Sequence, residues 1–307
     1  MIVVFGSINI DLVFRVDAFP RSGETVLSGS YSVHPGGKGA NTAVAAARAG
    51  GETEMVGQVG NDRFAGDALH ILRDAGAGLD RVAESPGPTG CATIWVDSRG
   101  ENAIVVASGA NLNVAADQVP DSMLGHSTLI ALQMEVPPAE NWTLMERARK
   151  AGARVLLNLA PAQPVPTHAL RNVDVLVVNQ AEASALATCS DLQTDQPSDT
   201  ARLLAERYGL TCVVTLGRDG ALAHGPGRGW RIPALPIDAI DTTGAGDAFC
   251  GGLAAALDRG LAMEMALRHA SVGAGLACTV EGAQSSLPGR KAVEGRLDDL
   301  PEIQRIS

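Results

Sequence analysis

Two carboxylates flank a glycine-bearing turn in Asp241-Thr242-Thr243-Gly244-Ala245-Gly246-Asp247, directly ahead of a helix-like apolar run at 248–257. A glycine-rich turn entering a helix leaves backbone N–H groups without intrahelical partners, and the helix dipole adds partial positive charge at the same point. An anion, most naturally a phosphate, settles on such donors. Asp247, at the helix start, then lies within reach of whatever receives that phosphate. The pattern points to phosphoryl transfer with Asp247 as general base. The plainer alternative is that Gly244 and Gly246 only shape a tight turn and Asp247 only caps a helix.

A second glycine cluster, Pro35-Gly36-Gly37-Lys38-Gly39-Ala40-Asn41, opens the first long helix. Bare glycines let a ligand touch backbone, and Lys38 and Asn41 supply donors for hydroxyl oxygens. Asn9 and Asp11, just after the first apolar run, offer complementary acceptors. A sugar presents many hydroxyls that both donate and accept, so this mixture suits a polyol. A solvated surface lysine is the alternative for Lys38. Neither common phosphate loop is present: Lys38 is followed by Gly39 where a Walker loop needs Ser or Thr, and Gly6 is followed by Ile8 where a dinucleotide fingerprint needs glycine.

The elements that must position these residues are legible as short apolar runs at 2–5, 128–132, 154–157, 173–178 and 211–216. They alternate with helix-like stretches at 40–49, 61–75, 139–151 and 200–208. Apolar runs without internal polar alternation read as strands buried on both faces. The alternation predicts an α/β fold with a doubly wound, mostly parallel sheet flanked by helices. Ligands of such sheets bind at the carboxyl ends of strands. Here those ends carry Gly6-Ser7-Ile8-Asn9, Gln133-Met134-Glu135, Asn158, Asn179 and Thr215-Leu216-Gly217; each of these polar residues could equally cap the helix that follows. Segments at about 11–33 and 91–106 break the rhythm. They read as antiparallel strands of a small β lid inserted into a single domain spanning 1–307, the second turning at Ser98-Arg99-Gly100.

Composition excludes several classes. A net charge of −10 and a pI near 5.1 argue against nucleic acid or an anionic membrane as partner. No apolar run approaches the ~20 residues of a membrane span, and the opening residues lack a basic leader, so a cytoplasmic location is expected. The five cysteines are scattered with no C-x-x-C pair, which disfavours zinc or a disulfide framework. They read as small buried hydrophobes in a reducing cytoplasm; Cys250, just past Asp247, is the thiol to watch.

The residues at 36–41 and 241–247 resemble the two signatures of the ribokinase (PfkB) family of carbohydrate kinases. Asn179-Gln180-Ala181-Glu182 is similar to the family's N-x-x-E motif, and Thr215-Leu216-Gly217-Arg218-Asp219-Gly220 to its nucleotide-binding T-L-G-x-x-G. The resemblance runs in order from Gly6 to Ser286. It implies an ATP-dependent sugar kinase. Asn9, Asp11, Gly37, Lys38, Gly39, Asn41 and Glu135 would hold the sugar together with Asp247. Gly244, Ala245 and Gly246 would form the anion hole. Asn179, Thr215, Gly217, Gly220, Gly246 and Ser271 would contact ATP, and Glu182 would place Mg²⁺ through water. Asp241, Thr243, Ala277, Val280, Gly282 and Ser286 would hold an activating K⁺. With Glu135 and the 158–162 stretch, the implied acceptor is D-ribose, giving ribose 5-phosphate. Thr42 and Gln180-Ala181 depart from the family's usual wording. A nucleoside, fructose or sugar-acid kinase of the same family is the alternative, and a non-catalytic sugar sensor a more distant one. Exposed lid strands suggest a homodimer.

Overall fold

The computed structural model describes every residue except Asp191, Gln193, Asp195 and Ser307. In chain order the strands are β1 (Ile2–Phe5), β2 (Asn9–Arg15), β3 (Tyr31–Gly36), β4 (Thr53–Gly60), β5 (Gly78–Ser85), β6 (Gly90–Val96) and β7 (Asn102–Ala107). They continue with β8 (Leu129–Leu132), β9 (Arg154–Asn158), β10 (Val175–Asn179), β11 (Thr211–Thr215), β12 (Ala221–Gly225), β13 (Arg228–Ile232) and β14 (Gln304–Ile306). The helices are α1 (Lys38–Arg48), α2 (Phe64–Asp74), α3 (Pro138–Ala151), α4 (Thr167–Leu170), α5 (Gln180–Cys189), α6 (Pro197–Tyr208), α7 (Ala245–Asp258), α8 (Met263–Ala277) and α9 (Arg290–Glu294).

One sheet runs β14-β13-β12-β11-β10-β9-β8-β1-β4-β5, parallel from β5 to β11 and antiparallel beyond. Its first strand shows why apolar runs marked the strands. Ile2 and Val4 join the core beneath α1, α2, α7 and α8, while Val3 and Phe5 join the core beneath α3, α5 and α6. Successive side chains point to opposite faces, and both faces are covered by helices.

Glycines set how the helices meet. A Cβ on Gly251 of α7 would lie 2.4 Å from Ala45 Cβ and 2.7 Å from the Thr42 carbonyl, so α7 lies against α1 at a separation no side chain permits. That contact, one turn beyond Asp247, brings the α7 start beside the α1 start. Gly39 does the same at the sheet, since its Cβ would meet Ser7 N at 2.5 Å.

The second sheet, β3-β2-β6-β7, is the lid. The pairs β2/β3 and β6/β7 are antiparallel, and the two join through a parallel β2/β6 ladder, so the lid is mixed at its centre. The second hairpin turns at the expected place, where Gly100 N–H donates to Asp97 O at 3.0 Å.

Candidate active site

Helix α1 is entered through Gly37, whose φ of 89° lies where only glycine is at ease, and α7 through Gly244, with φ 75°. The α1 start meets Ser7 and Glu135, past the carboxyl ends of β1 and β8, and the α7 start meets α1 through Asn41. Asp247 lies inside the first turn of α7 rather than ahead of it. It is 5% exposed, and its Oδ2 accepts from Asn41 Nδ2 at 2.8 Å. Glu135, just past β8, accepts through Oε2 from Ser7 Oγ at 2.6 Å and from the Lys38 backbone N–H at 3.0 Å. Ser7 Oγ in turn accepts from Gly39 N–H at 3.2 Å. Asp11 packs against Gly36, where any Cβ would sit 2.2 Å from its Oδ2.

These bonds leave a defined set of groups without protein partners among the described residues: Asp247 Oδ1, Glu135 Oε1, Lys38 Nζ and the Asp11 carboxylate. Asn41 Oδ1 is both buried and unpartnered. A buried acceptor left bare costs free energy unless a ligand completes it. Asn9 reverses the expected polarity. Its Oδ1 already accepts from Asn111 Nδ2 at 2.7 Å, so the group it has free is a donor.

The field of the site follows from its charges. Burial pushes the Asp247 carboxyl up to about 6; the Lys38 ammonium and the Asn41 amide pull the other way, and the carboxylates of Glu135 and Glu182 add to the rise. Asp11 is driven to about 7 by burial, then by Glu135 and Asp247. Lys38 is held above its ordinary value, chiefly by Asp247. Four carboxylates therefore share one lysine. Cys250 does not act here: it is fully buried and burial raises its thiol, so it is the small buried hydrophobe the sequence reading made of it.

At the α7 start the Ala245 N–H is directed to the Thr242 carbonyl at 3.2 Å. The amides of Gly244, Gly246 and Asp247 have no protein acceptor among the described residues. The donors open to an anion thus fall on Gly244, Gly246 and Asp247, one position further than the expected Gly244–Ala245–Gly246 set. Gly246 is exposed and a Cβ there would meet nothing.

The residues expected at the nucleotide lie beside this cleft, at the ends of β10 and β11, where Asn179 and Thr215 are register neighbours. Asn179 caps α5 through a reciprocal capping box: Glu182 N–H donates to Asn179 Oδ1 at 2.8 Å and Asn179 N–H to Glu182 Oε2 at 2.7 Å. The cap and the cleft are compatible, because Glu182 feels the Lys38 charge and keeps Oε1 unengaged; burial raises its carboxyl. Thr215 Oγ1 leans on the Val178 carbonyl at 3.4 Å. Gly217 and Gly220 both take positive φ, and Gly220 backs onto Pro233, whose carbonyl accepts from Ser271 Oγ at 2.7 Å. Gly220 and Ser271 therefore border one spot.

Asp241 organises the loop behind the turn that enters α7. Burial works against its charge, but Thr243 Oγ1 at 2.6 Å, Gly282 N–H at 2.8 Å and Thr243 N–H at 2.9 Å hold it below the usual carboxylate range. Ala283 lies 3.2 Å from where a Gly244 Cβ would be, so the 277–286 loop buttresses the turn. Ser286 Oγ donates to the Ala283 carbonyl at 2.9 Å, Ala277 is buried and Val280 is half exposed. Sequence reasoning gave no role to Ser7, Asn111 or Gln284; the last is buried and reaches the Gly36 carbonyl at 3.4 Å. Only the tripeptide Gly109-Ala110-Asn111 just past the lid hairpin hinted at a specific loop.

A doubly wound sheet with a lid, and with sugar-like donors and acceptors facing a helix-start turn, is the architecture of a small-molecule kinase. Residues 1–290 match the pfkB family of carbohydrate kinases, and the chain belongs to that family. It is an ATP-dependent sugar kinase. Among its relatives, the ribokinase of Haemophilus influenzae is 34% identical over 294 residues, covering 94% of this chain and 96% of that protein. The bifunctional ribokinase/ribose-5-phosphate isomerase A of Fructilactobacillus sanfranciscensis is 33% identical over 297 residues, 95% of this chain, which spans only 55% of it. The structure of Arabidopsis thaliana ribokinase complexed with ribose and ATP aligns with a TM-score of 0.86 at 30% identity, covering 96% of this chain and 98% of that one. Among the described residues no helix is long and apolar enough to cross a membrane.

Proposed function

We propose that this kinase transfers the γ-phosphoryl group of ATP to D-ribose, giving ribose 5-phosphate and ADP, with Asp247 as general base. The observation that carries the reading is a buried carboxylate with one free oxygen, set in the same helical turn as unengaged amides. The sugar hydroxyl gives its proton to Asp247 Oδ1 as its oxygen attacks the γ-phosphorus, and the Gly244, Gly246 and Asp247 amides receive the charge on the transferring group. Positioning and electrostatics supply most of the acceleration in such a transfer. Lys38 Nζ and Asn9 Nδ2 donate to sugar oxygens; Asp11, Glu135 Oε1 and Asn41 Oδ1 accept from its hydroxyls. Asn179, Thr215, Gly217, Gly220 and Ser271 line the ATP side.

The residues suit two cations. Among the described residues no three His, Cys, Asp or Glu side chains gather into a metal cage. Glu182, with Oε1 free, fits a Mg²⁺ that keeps its waters and is carried mainly by nucleotide phosphates. Its charge offsets the phosphates in an acidic cleft. Asp241 is held below the usual carboxylate range, and with it the hydroxyl of Ser286 and the carbonyls of Thr243, Ala277, Val280 and Gly282 would supply an all-oxygen set suited to K⁺. A cation there stiffens the turn it backs and adds positive charge beside it.

The name of the Arabidopsis complex and the mixed donors and acceptors favour ribose. One observation favours a nucleoside as second reading: Val13, Ile94, Ile104 and Val106 share the lid face of Asp11 by strand register, an apolar surface a base could cover. The same exposed strands, with Tyr31 and Val105 on their other face, support a homodimer through the lid. Five unbridged cysteines suit a reducing cytoplasm. A coupled ADP-release assay over pentoses, hexoses, sugar acids and nucleosides, with Mg²⁺ and with K⁺ or Na⁺, tests the proposal. Ribose as best acceptor with a K⁺-stimulated rate is expected; adenosine outpacing ribose, or ADP release unaffected by any acceptor, overturns it.

A further inference from the structure

Asn111 touches no atom of the reaction yet determines what Asn9 offers to it. It lies on the short 3₁₀ turn Gly109–Asn113 that follows the last lid strand, and it is 1% exposed. Its Oδ1 accepts from the Ile8 backbone N–H at 2.9 Å, and its Nδ2 donates to Asn9 Oδ1 at 2.7 Å and to the Ile8 carbonyl at 3.3 Å. A side-chain amide has two nearly identical ends, and its orientation must be assigned from its partners. Here the assignment is forced. The Ile8 N–H only donates, so it demands Asn111 Oδ1. The Ile8 carbonyl only accepts, so it demands Nδ2. Asn9 is then obliged to turn its oxygen toward Asn111 and its Nδ2 toward the cleft.

The same residue is built into the root of the lid. Ala110 N–H donates to the Pro88 carbonyl at 2.9 Å, and β6 starts at Gly90. A Cβ on Gly90 would lie 2.2 Å from Asn9 Oδ1 and 2.3 Å from Asn111 Nδ2. The two asparagines therefore meet in a space that closes around them as the lid strands leave the body.

We infer that Asn111 is a positioning residue for the acceptor: it locks Asn9 as a hydrogen-bond donor to one sugar oxygen and ties that donor to the lid root. The hydroxyl read by Asn9 must then give its own proton to an acceptor, and Asp11, two residues along the same strand face, supplies one. This deepens the sugar-kinase reading and rests on it.

Asn111→Asp tests the inference with little change in volume. One carboxylate oxygen keeps the Ile8 N–H, while the other faces Asn9 Oδ1 and turns the Asn9 amide over, presenting an acceptor to the sugar. Losing the bond and leaving a polar group mismatched costs about 1–3 kcal/mol, or ~5–150-fold in sugar KM at about 1.4 kcal/mol per tenfold. We expect that rise with kcat and the KM for ATP within about threefold, and no further rise when Asn111→Asp is added to Asn9→Ala. An unchanged sugar KM, or a full additional rise in the Asn9→Ala background, overturns the role. Should the variant fold poorly, hydrogen exchange of asparagine side-chain amides in the unsubstituted enzyme decides. Asn111 Nδ2 protons are expected to be protected without sugar and those of Asn9 only with it; the reverse order overturns the assignment. If the unsubstituted enzyme phosphorylates no sugar, the kinase reading itself fails, a result distinct from an active enzyme indifferent to Asn111→Asp.

Discussion

Replacing Asp247 by Asn should slow this enzyme and stabilise it at once. Asn keeps an oxygen that accepts from Asn41 Nδ2, so the 2.8 Å bond and the packing of α7 on α1 survive. What disappears is a buried negative charge whose carboxyl sits at about 6 against an ordinary value of 3.8. At about 1.4 kcal/mol per tenfold, holding that group ionised costs the fold about 3 kcal/mol near pH 8. The sign follows from proton binding. The folded state holds the proton more tightly than the unfolded chain, so stability is lost as pH rises from about 4 through about 6. The gain in Asp247→Asn should therefore be largest above pH 7, fall to about half at pH 5 and vanish below pH 4. At roughly 2 °C per kcal/mol for a chain this long, Tm rises by about 6 °C at pH 8. Loss of the general base lowers kcat by ~10²-fold or more while the sugar KM moves little. Thermal unfolding over pH 4–8 and steady-state kinetics read both effects. A variant with turnover within tenfold of normal removes Asp247 from proton transfer, and one less stable at every pH refutes the burial argument.

The acid limb of kcat/KM for the sugar should be steeper than tenfold per pH unit below about 6, because Asp247 and Asp11, at about 6 and about 7, must both lose protons and titrate as a coupled set; Asp11→Asn should reduce the slope to a single proton in a pH–rate series. Gly246→Ala should leave stability unchanged or raise it by up to ~1 kcal/mol, since its Cβ meets nothing, yet lower kcat by covering an open amide. Gly244→Ala should lower both, by ~1–2 kcal/mol in stability, because φ is 75° and Ala283 stands behind it; equal behaviour of the two variants in denaturant melts and kinetics would argue against the turn as anion site. Ser7→Ala should raise the sugar KM by ~10–100-fold, since Glu135 loses its 2.6 Å hydroxyl donor; an unchanged KM would show that the backbone amide of Lys38 alone aims Glu135.

The four partly unpaired carboxylates around Lys38 also bear on the order of events. An acidic cleft repels a nucleotide tetra-anion, and in the proposed reading the opposing charge would come from a cation on the phosphates, from Lys38 and from helix-start amides. Neutral sugar pays no such electrostatic penalty. The lid carries Asp11 beside these charges, and the burial that raises Asp11 to about 7 shows how strongly charges interact where water is scarce.

Local chemistry along the chain determined a great deal. Glycine at 37 and 244 is written where a helix must be entered through positive φ, and apolar runs buried on both faces announced a parallel sheet, because backbone preference and pleat periodicity are properties of neighbours in sequence. Tertiary structure alone decided the electrostatics and the polarity of the site. Asp11, Glu135, Glu182 and Asp247 are far apart in the chain, and their mutual repulsion around one ammonium exists only after folding. Asn9 read as an acceptor until Asn111, 102 residues away, occupied its oxygen. The Ala245 amide read as free until the turn bent it toward Thr242. Type and spacing specify which groups are available; only through-space contact fixes which of them remain free to act.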